Sequence, residues 1–297
     1  MSAWTKSLDA AGVREPGVRR DYDAQRRLVR RYRRTAYLAA RLLLPRHLLP
    51  HVVAATALMH HGDNLLDTGP RPRREAAWAA WERQVREALR TGTSEDPLLR
   101  AFLHTLSARP RLRGTVETYL STAAAELDFT GFATEADYQA YLDAYSLPAF
   151  LLVADLLGPG QEAEARAHRA ACRTFIDGSQ RLDFVNDLAE DLREGHVGIP
   201  AETLRRYALS VADLAAGTAG GALDALVADQ AGAARASLLD ARELPALTPA
   251  PGRRLVRALL DIELLTVDAV LARGAKVLHG SARPPLAGTL RVLARRG

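Results

Sequence analysis

The stretch Gln180-Arg-Leu-Asp183-Phe-Val-Asn186-Asp187-Leu-Ala-Glu190-Asp191 sets the reading of the whole chain. Wound at about 100° per residue, Gln180, Asp183, Asp187 and Asp191 fall within roughly 80° of one another. Leu182, Phe184, Val185, Leu188 and Leu192 project from the other side. The spacing predicts an amphipathic helix whose polar face is nearly all carboxylate. Acids on such a face ordinarily alternate with Lys or Arg one turn away, yet Arg181 and Arg193 lie off it. Two readings follow: a solvated acidic face, or a face whose missing counter-charge is a metal ion.

Outward from this helix, nearly every segment has helical periodicity. Ala, Leu and Arg dominate, Val, Ile and Thr runs are scarce, and no Asn-Gly hairpin turn occurs. The pattern predicts helices over Tyr22–Leu44, His47–Thr68, Arg73–Arg90, Asp96–Ala108 and Pro110–Asp128. Further on it predicts Tyr138–Leu157 with a kink at Pro148, an unbroken Glu162–Glu194 stopped by Gly195, shorter helices over 200–245, and Arg253–Leu278. No shift of composition separates two parts, so residues 1–297 read as one all-α domain, with 1–20 a flexible N-terminal extension.

The composition narrows the function. Of 40 basic residues only Lys6 and Lys276 are lysines, leaving 40 − 2 = 38 arginines, spread along the chain without an aromatic-interleaved module. Nucleic-acid binding is therefore not expected. Cys172 is the only cysteine, which excludes a disulfide framework and a Cys-based metal site. Residues 1–20 have no apolar core of a secretory signal, and no uninterrupted apolar run reaches the roughly 18 residues of a membrane span. A cytoplasmic protein without an integral membrane segment is expected. Oligomeric state is not legible.

A second acidic site lies upstream. Asp63 and Asp67, four residues apart, share one face of the predicted second helix, beyond the apolar approach Val52–Met59 and before Gly69-Pro70. Two carboxylate clusters about 120 residues apart (183 − 63), each on a helix, can face each other across a helical bundle. Hard oxygen ligands of this kind suit Mg²⁺, which commonly recruits substrate phosphates to complete its shell. A diphosphate so held is a good leaving group. If it leaves an allylic carbon, an apolar cavity shields the resulting cation from water. In the first predicted helix, Arg33, Arg34, Tyr37 and Arg41 recur at helical spacing and could turn a phosphate-binding edge inward, among arginines that otherwise read as a solvated face.

The chain resembles the squalene/phytoene synthase family over most of its length. Thr35-Ala-Tyr37-Leu-Ala-Ala-Arg41-Leu-Leu-Leu-Pro45 resembles the family's first helix, and Asp63-Asn-Leu-Leu-Asp67-Thr-Gly-Pro70 its first Asp-rich motif. Gln180 to Asp191, followed by Arg193-x-Gly195 and Ile199-Pro200, resembles the second motif, and Leu265–Leu278 the C-terminal helix. The resemblance implies an all-α isoprenoid-synthase-type helical bundle around a central cavity and Mg²⁺-dependent ionisation of a prenyl diphosphate. It implies Mg²⁺ binding by Asp63, Asp67, Asp183, Asp187 and Asp191, with Gln180 and Asn186 as polar positions beside the diphosphate.

Several positions depart from the family pattern. His60 stands where the family has Arg, and Asn186 where it has another Arg. Gly198-Ile199-Pro200 lacks the family's Tyr, Tyr145-Ser-Leu-Pro148-Ala-Phe150 replaces a small-residue segment, and Glu263 replaces a Tyr. Loss of two cationic grips and a narrowed tunnel fit a branch that ionises one short prenyl diphosphate, dimethylallyl or geranyl. Members of that branch alkylate an aromatic small-molecule acceptor such as a carbazole. His60 or Glu263 would then orient or deprotonate the acceptor; for His60 a structural, hydrogen-bonded histidine is the plainer alternative. Rival readings are head-to-head squalene or phytoene synthesis, a helical Mg²⁺-dependent nucleotide pyrophosphatase, and a non-enzymatic helical interaction protein.

Overall fold

The computed structural model describes residues 1–32, 34–217 and 220–294. Every regular element among them is helical. In chain order these are α1 (Ala3–Ala10), α2 (Pro16–Tyr32), α3 (Arg34–Leu43), α4 (Leu49–Asp67), α5 (Arg71–Thr91), α6 (Pro97–Ala108), α7 (Leu112–Thr122), α8 (Glu135–Tyr141) and α9 (Leu147–Leu157). There follow α10 (Glu162–Asn186), α11 (Leu188–Glu194), α12 (Ala201–Arg206), α13 (Val211–Ala216), α14 (Gly220–Asp240), α15 (Leu244–Leu247), α16 (Ala250–Arg273) and α17 (Leu286–Ala294). The chain divides into two compact units. One comprises residues 1–128, 148–161 and 248–255, the other 129–147, 162–247 and 256–297.

In the first unit, α4 is the central helix and packs against α2, α5 and α6. Its N-terminal half is buried almost all round, which follows from the run Leu49 to Leu58 with few polar side chains. Several polar groups that enter this core are paired. The Tyr22 hydroxyl meets Thr105 at 2.8 Å, His51 Nδ1 lies 3.2 Å from the same Thr105 oxygen, and Arg100 donates twice to buried Asp21 at 2.8 Å. Residues 1–20 are not the flexible extension expected. Ser2 caps α1, Trp4 and Leu8 are buried one turn apart on its inner side, Ser7 beside them is buried too, and Val13, just beyond the helix, is also buried.

In the second unit, α10 and α14 form the main helix pair. Gly178 makes their close approach possible: a Cβ there would stand 2.8 Å from the Ala234 carbonyl oxygen and 2.8 Å from Leu238 Cγ. Gly178→Ala gains helix propensity of about 1 kcal/mol, but forcing the helices apart costs about 1–3 kcal/mol. A lower Tm for Gly178→Ala is the expected outcome of thermal unfolding; a higher one removes this account of the contact.

Two predicted elements differ from those observed. The kink expected at Pro148 is instead a π turn over Leu142–Ser146, closed by the Leu147 N–H on the Leu142 carbonyl, and Pro148 occupies the first turn of α9. A proline is tolerated there because its missing N–H has no partner to lose. The helix expected unbroken through Glu194 is interrupted at Asp187, between α10 and α11. Gly195, in the left-handed region at φ 84°, ends α11 as predicted. Among the described residues one helical run, Glu135–Leu157, is long and apolar enough to cross a membrane by length and composition; Tyr138, Leu142, Ser146 and Leu152 within it are buried in protein.

Candidate active site

The first acidic motif ends α4. Arg74 donates to the Leu66 carbonyl at 2.6 Å, and Gly69 at φ 98° turns the chain away, so the last turn carrying Asp63 and Asp67 is fixed. Asp63 is half-buried and Asp67 exposed. Beneath them lies Tyr119, which sequence reasoning missed. Its ring is fully buried, and its hydroxyl occupies the space a side chain at Gly62 would need, 2.2 Å from that Cβ position. Burial, reinforced by the charges of Asp63, Asp67 and Glu126, pushes the Tyr119 hydroxyl well above its usual value. That hydroxyl is buried without a hydrogen-bond partner among the described residues. The only sequence signal was the small residue Gly62 beside the motif. The His60 ring lies tilted against Tyr32 with ring centroids 4.9 Å apart, and His61 is tilted against Trp81 at 4.3 Å.

The second motif straddles the break between α10 and α11. The Asn186 side chain donates to the Ala282 carbonyl at 3.2 Å and accepts from the Ala282 N–H at 2.6 Å. The Ser281 hydroxyl donates to Asp187 Oδ1 at 2.7 Å. These contacts from the segment after α16 hold Asp187 at the break. Both ends of the amide of Asn186, the residue expected beside a diphosphate, are thus engaged with backbone. Asp183 is exposed, Asp187 half-buried and Asp191 buried.

Asp191 is the electrostatic centre of this motif. Burial, reinforced by the charges of Asp187, Glu194 and Glu190, pushes its carboxyl up to about 7. Its Oδ2 is buried without a hydrogen-bond partner among the described residues, and His196 Nε2 stands 3.6 Å from Oδ1. Four acids close in sequence with one nearby imidazole make an environment short of positive charge. A divalent cation fits this donor set, with oxygen ligands of the kind Mg²⁺ selects. Among the described residues no three His, Cys, Asp or Glu side chains converge closely enough to enclose an ion by themselves.

Around the motif stand residues from neighbouring elements. Gln180 Oε1 accepts from Ser146 in the π turn at 2.9 Å, and Glu263 Oε1 accepts from Ser179 at 3.2 Å. Burial pushes the Glu263 carboxyl up to about 7, against the pull of Ser179. Arg181, off the acidic face as the periodicity predicts, pairs with Glu135 at 2.5 Å and Asp177 at 3.4 Å and lies 4.4 Å over the Tyr138 ring. Phe129, Phe132, Tyr138, Tyr141 and Phe184 form a continuous aromatic cluster beside it. The phosphate-binding edge expected on the first helix is divided. Tyr37 and Arg41 line a cavity, Arg34 is exposed outside it, and Arg33 lies outside the described residues.

Helices alone, with acidic motifs at the end of one and the break of another, define an all-α protein of the isoprenoid-synthase type. The chain belongs to the squalene/phytoene synthase family, whose model matches residues 29–289. It is 29% identical over 269 residues to the bifunctional protein CrtB/UppS of Streptomyces coelicolor, covering 90% of this chain and 47% of that one. It thus spans about half the length of that relative. It is also 29% identical over 230 residues to phytoene synthase of Thermus thermophilus, covering 73% of this chain and 72% of that one. Among solved structures, squalene synthase HpnC from Alicyclobacillus acidocaldarius superposes with a TM-score of 0.75 at 23% identity, over 92% of this chain and 99% of that one. The family is one of prenyltransferases.

Proposed function

We propose that this chain is a Mg²⁺-dependent head-to-head prenyltransferase, which ionises one allylic prenyl diphosphate and joins the prenyl chain to a second. The observation that carries this reading is the uncompensated acid group around Asp191, in a chain whose relatives include a phytoene synthase. Asp63 and Asp67 in one motif, and Asp183, Asp187 and Asp191 in the other, are the metal-binding residues. These carboxylates would hold Mg²⁺, which would supply neutralisation of the charge on the leaving diphosphate. Ser281 orients Asp187, and Ser146 orients Gln180 toward the same face. The aromatic cluster around Phe184 and Tyr141 excludes water and offers ring faces to a carbocation.

A second reading, transfer of one short prenyl group to an aromatic acceptor, is favoured by two observations. Asn186 is committed to Ala282, and His60 packs against the Tyr32 ring, so neither supplies the cationic grip of the family's arginines to a second diphosphate. Glu263, a carboxyl with its ionisation near neutrality, is then the acceptor's proton-accepting group.

The test is incubation with dimethylallyl, geranyl, farnesyl and geranylgeranyl diphosphates and Mg²⁺, with and without an indole and carbazole pool, followed by mass spectrometry. A C30–C40 hydrocarbon or its cyclopropyl precursor formed without acceptor, and lost in Asp187→Ala, is the expected result. A prenylated aromatic formed only with the pool selects the second reading. No product from any diphosphate overturns both.

A further inference from the structure

We propose that the cavity walled by α1, α2 and α3 is an anion site for the phosphate or diphosphate group of a small amphiphile, separate from the acidic motifs. It encloses about 290 Å³ and is lined by Trp4 of α1, Arg26 of α2, Tyr37 and Arg41 of α3, Arg46 between α3 and α4, and Leu49 at the start of α4. Leu49 opens α4 and Asp63 lies 63 − 49 = 14 residues further along the same helix. At 1.5 Å per residue the cavity and the first motif are about 21 Å apart along the axis. The lining residue Trp4 also precedes the family match, which begins at residue 29.

The charge balance of the cavity points to an anion. One acid, Asp23, is nearby: it takes the Trp4 indole N–H at 2.6 Å and stands 3.9 Å from Arg26. Arg26 in turn lies 5.2 Å over the Trp4 ring, and its Nε is buried without a hydrogen-bond partner among the described residues. Arg41 and Arg46 take part in no ion pair among the described residues. Three guanidinium groups against one shared carboxylate leave about two positive charges without a counter-charge, and the N-terminal end of α4 adds its partial positive charge on the same side. The planar fork of arginine matches phosphate oxygens, while Trp4, Leu44 and Leu49 supply an apolar wall for a short tail. The same chemistry is offered by a soluble prenyl phosphate and by an anionic lipid headgroup; Leu38 and Leu42, exposed on α3, would accompany the latter.

The proposal does not depend on the prenyl-transfer reading and is tested without metal. Calorimetric titration of the full chain with inorganic diphosphate, and separately with geranyl diphosphate, is done in EDTA on an Asp187→Asn background, so that the acidic motifs hold no Mg²⁺. Saturable binding is expected, weakened at least tenfold in Arg26→Gln and in Arg46→Glu and largely retained in Arg26→Lys. Arg46 is exposed and between helices, so its variant keeps the fold even if Arg26→Gln does not. Displacement of the diphosphate by phosphatidylglycerol vesicles, and not by phosphatidylcholine vesicles, assigns the site to a lipid headgroup; no displacement assigns it to a soluble phosphate. Absence of binding to the starting protein, or binding unchanged in Arg46→Glu, overturns the proposal.

Discussion

Asp191→Asn melts at a higher temperature than the parent protein at pH 8 in EDTA, and loses more than about 100-fold in turnover with Mg²⁺ and a prenyl diphosphate. The two effects have one cause. Asp191 is buried beside Asp187, Glu190 and Glu194, and its carboxyl is pushed up to about 7 from an ordinary 3.8. Between about pH 4 and 7 the folded protein therefore holds a proton that the unfolded chain has released. Stability of the metal-free protein falls as pH rises through that window, because there the folded state binds more protons. Above it the buried charge costs up to about 4 kcal/mol, of which the neutral amide recovers a large part. Saturating Mg²⁺ and diphosphate should raise the Tm of the parent and leave Asp191→Asn nearly unmoved. An Asp191→Asn protein no more stable than its parent at pH 8 in EDTA contradicts this account. So does one that keeps full turnover.

The second large effect is mechanical. A Cβ on Gly198 would lie 2.0 Å from Cδ1 and 2.1 Å from Cγ of Phe184. The Phe184 ring thus fills the place a side chain at residue 198 would need. Ile199, next in the chain, and Val197, before it, are both buried, so the backbone there has little room to withdraw. Gly198→Ala is expected to cost roughly 3 kcal/mol and lower the Tm by roughly 6–10 °C. Phe184→Leu in the same chain should restore part of that loss by removing the clashing ring atoms, although Phe184→Leu alone destabilises by leaving a void in the aromatic cluster. Equal Tm values for Gly198→Ala and its parent would mean the loop after α11 accommodates a side chain.

The helical fold was legible because its signals are local. Periodicity, the Gly-Pro stop after Asp67 and the glycine after Glu194 depend on neighbours within a turn or two, and the observed elements follow them closely. The acidic faces were legible for the same reason: the positions 183, 187 and 191 are fixed by helical pitch alone. The N-terminal segment was misread because its four buried residues have little meaning without the surface they pack on.

Sequence alone also determined the family, since the second motif with its Gly and Pro tail is a pattern of residue types at fixed spacing. The tertiary structure decided which of those residues are free to act. Asn186 lies on the motif, yet a hydrogen-bond pair with Ala282, 96 residues away, commits it to the backbone. Asp191 reads like the other carboxylates, yet its burial gives it a raised pKa. Tyr119 had no signal beyond Gly62, and Arg26 none, because one derives its character from acids 52 and 56 residues before it, and the other from the indole of Trp4. Pitch is a property of the local chain; burial, hydrogen-bond satisfaction and charge balance are sums over neighbours that only the folded chain assembles.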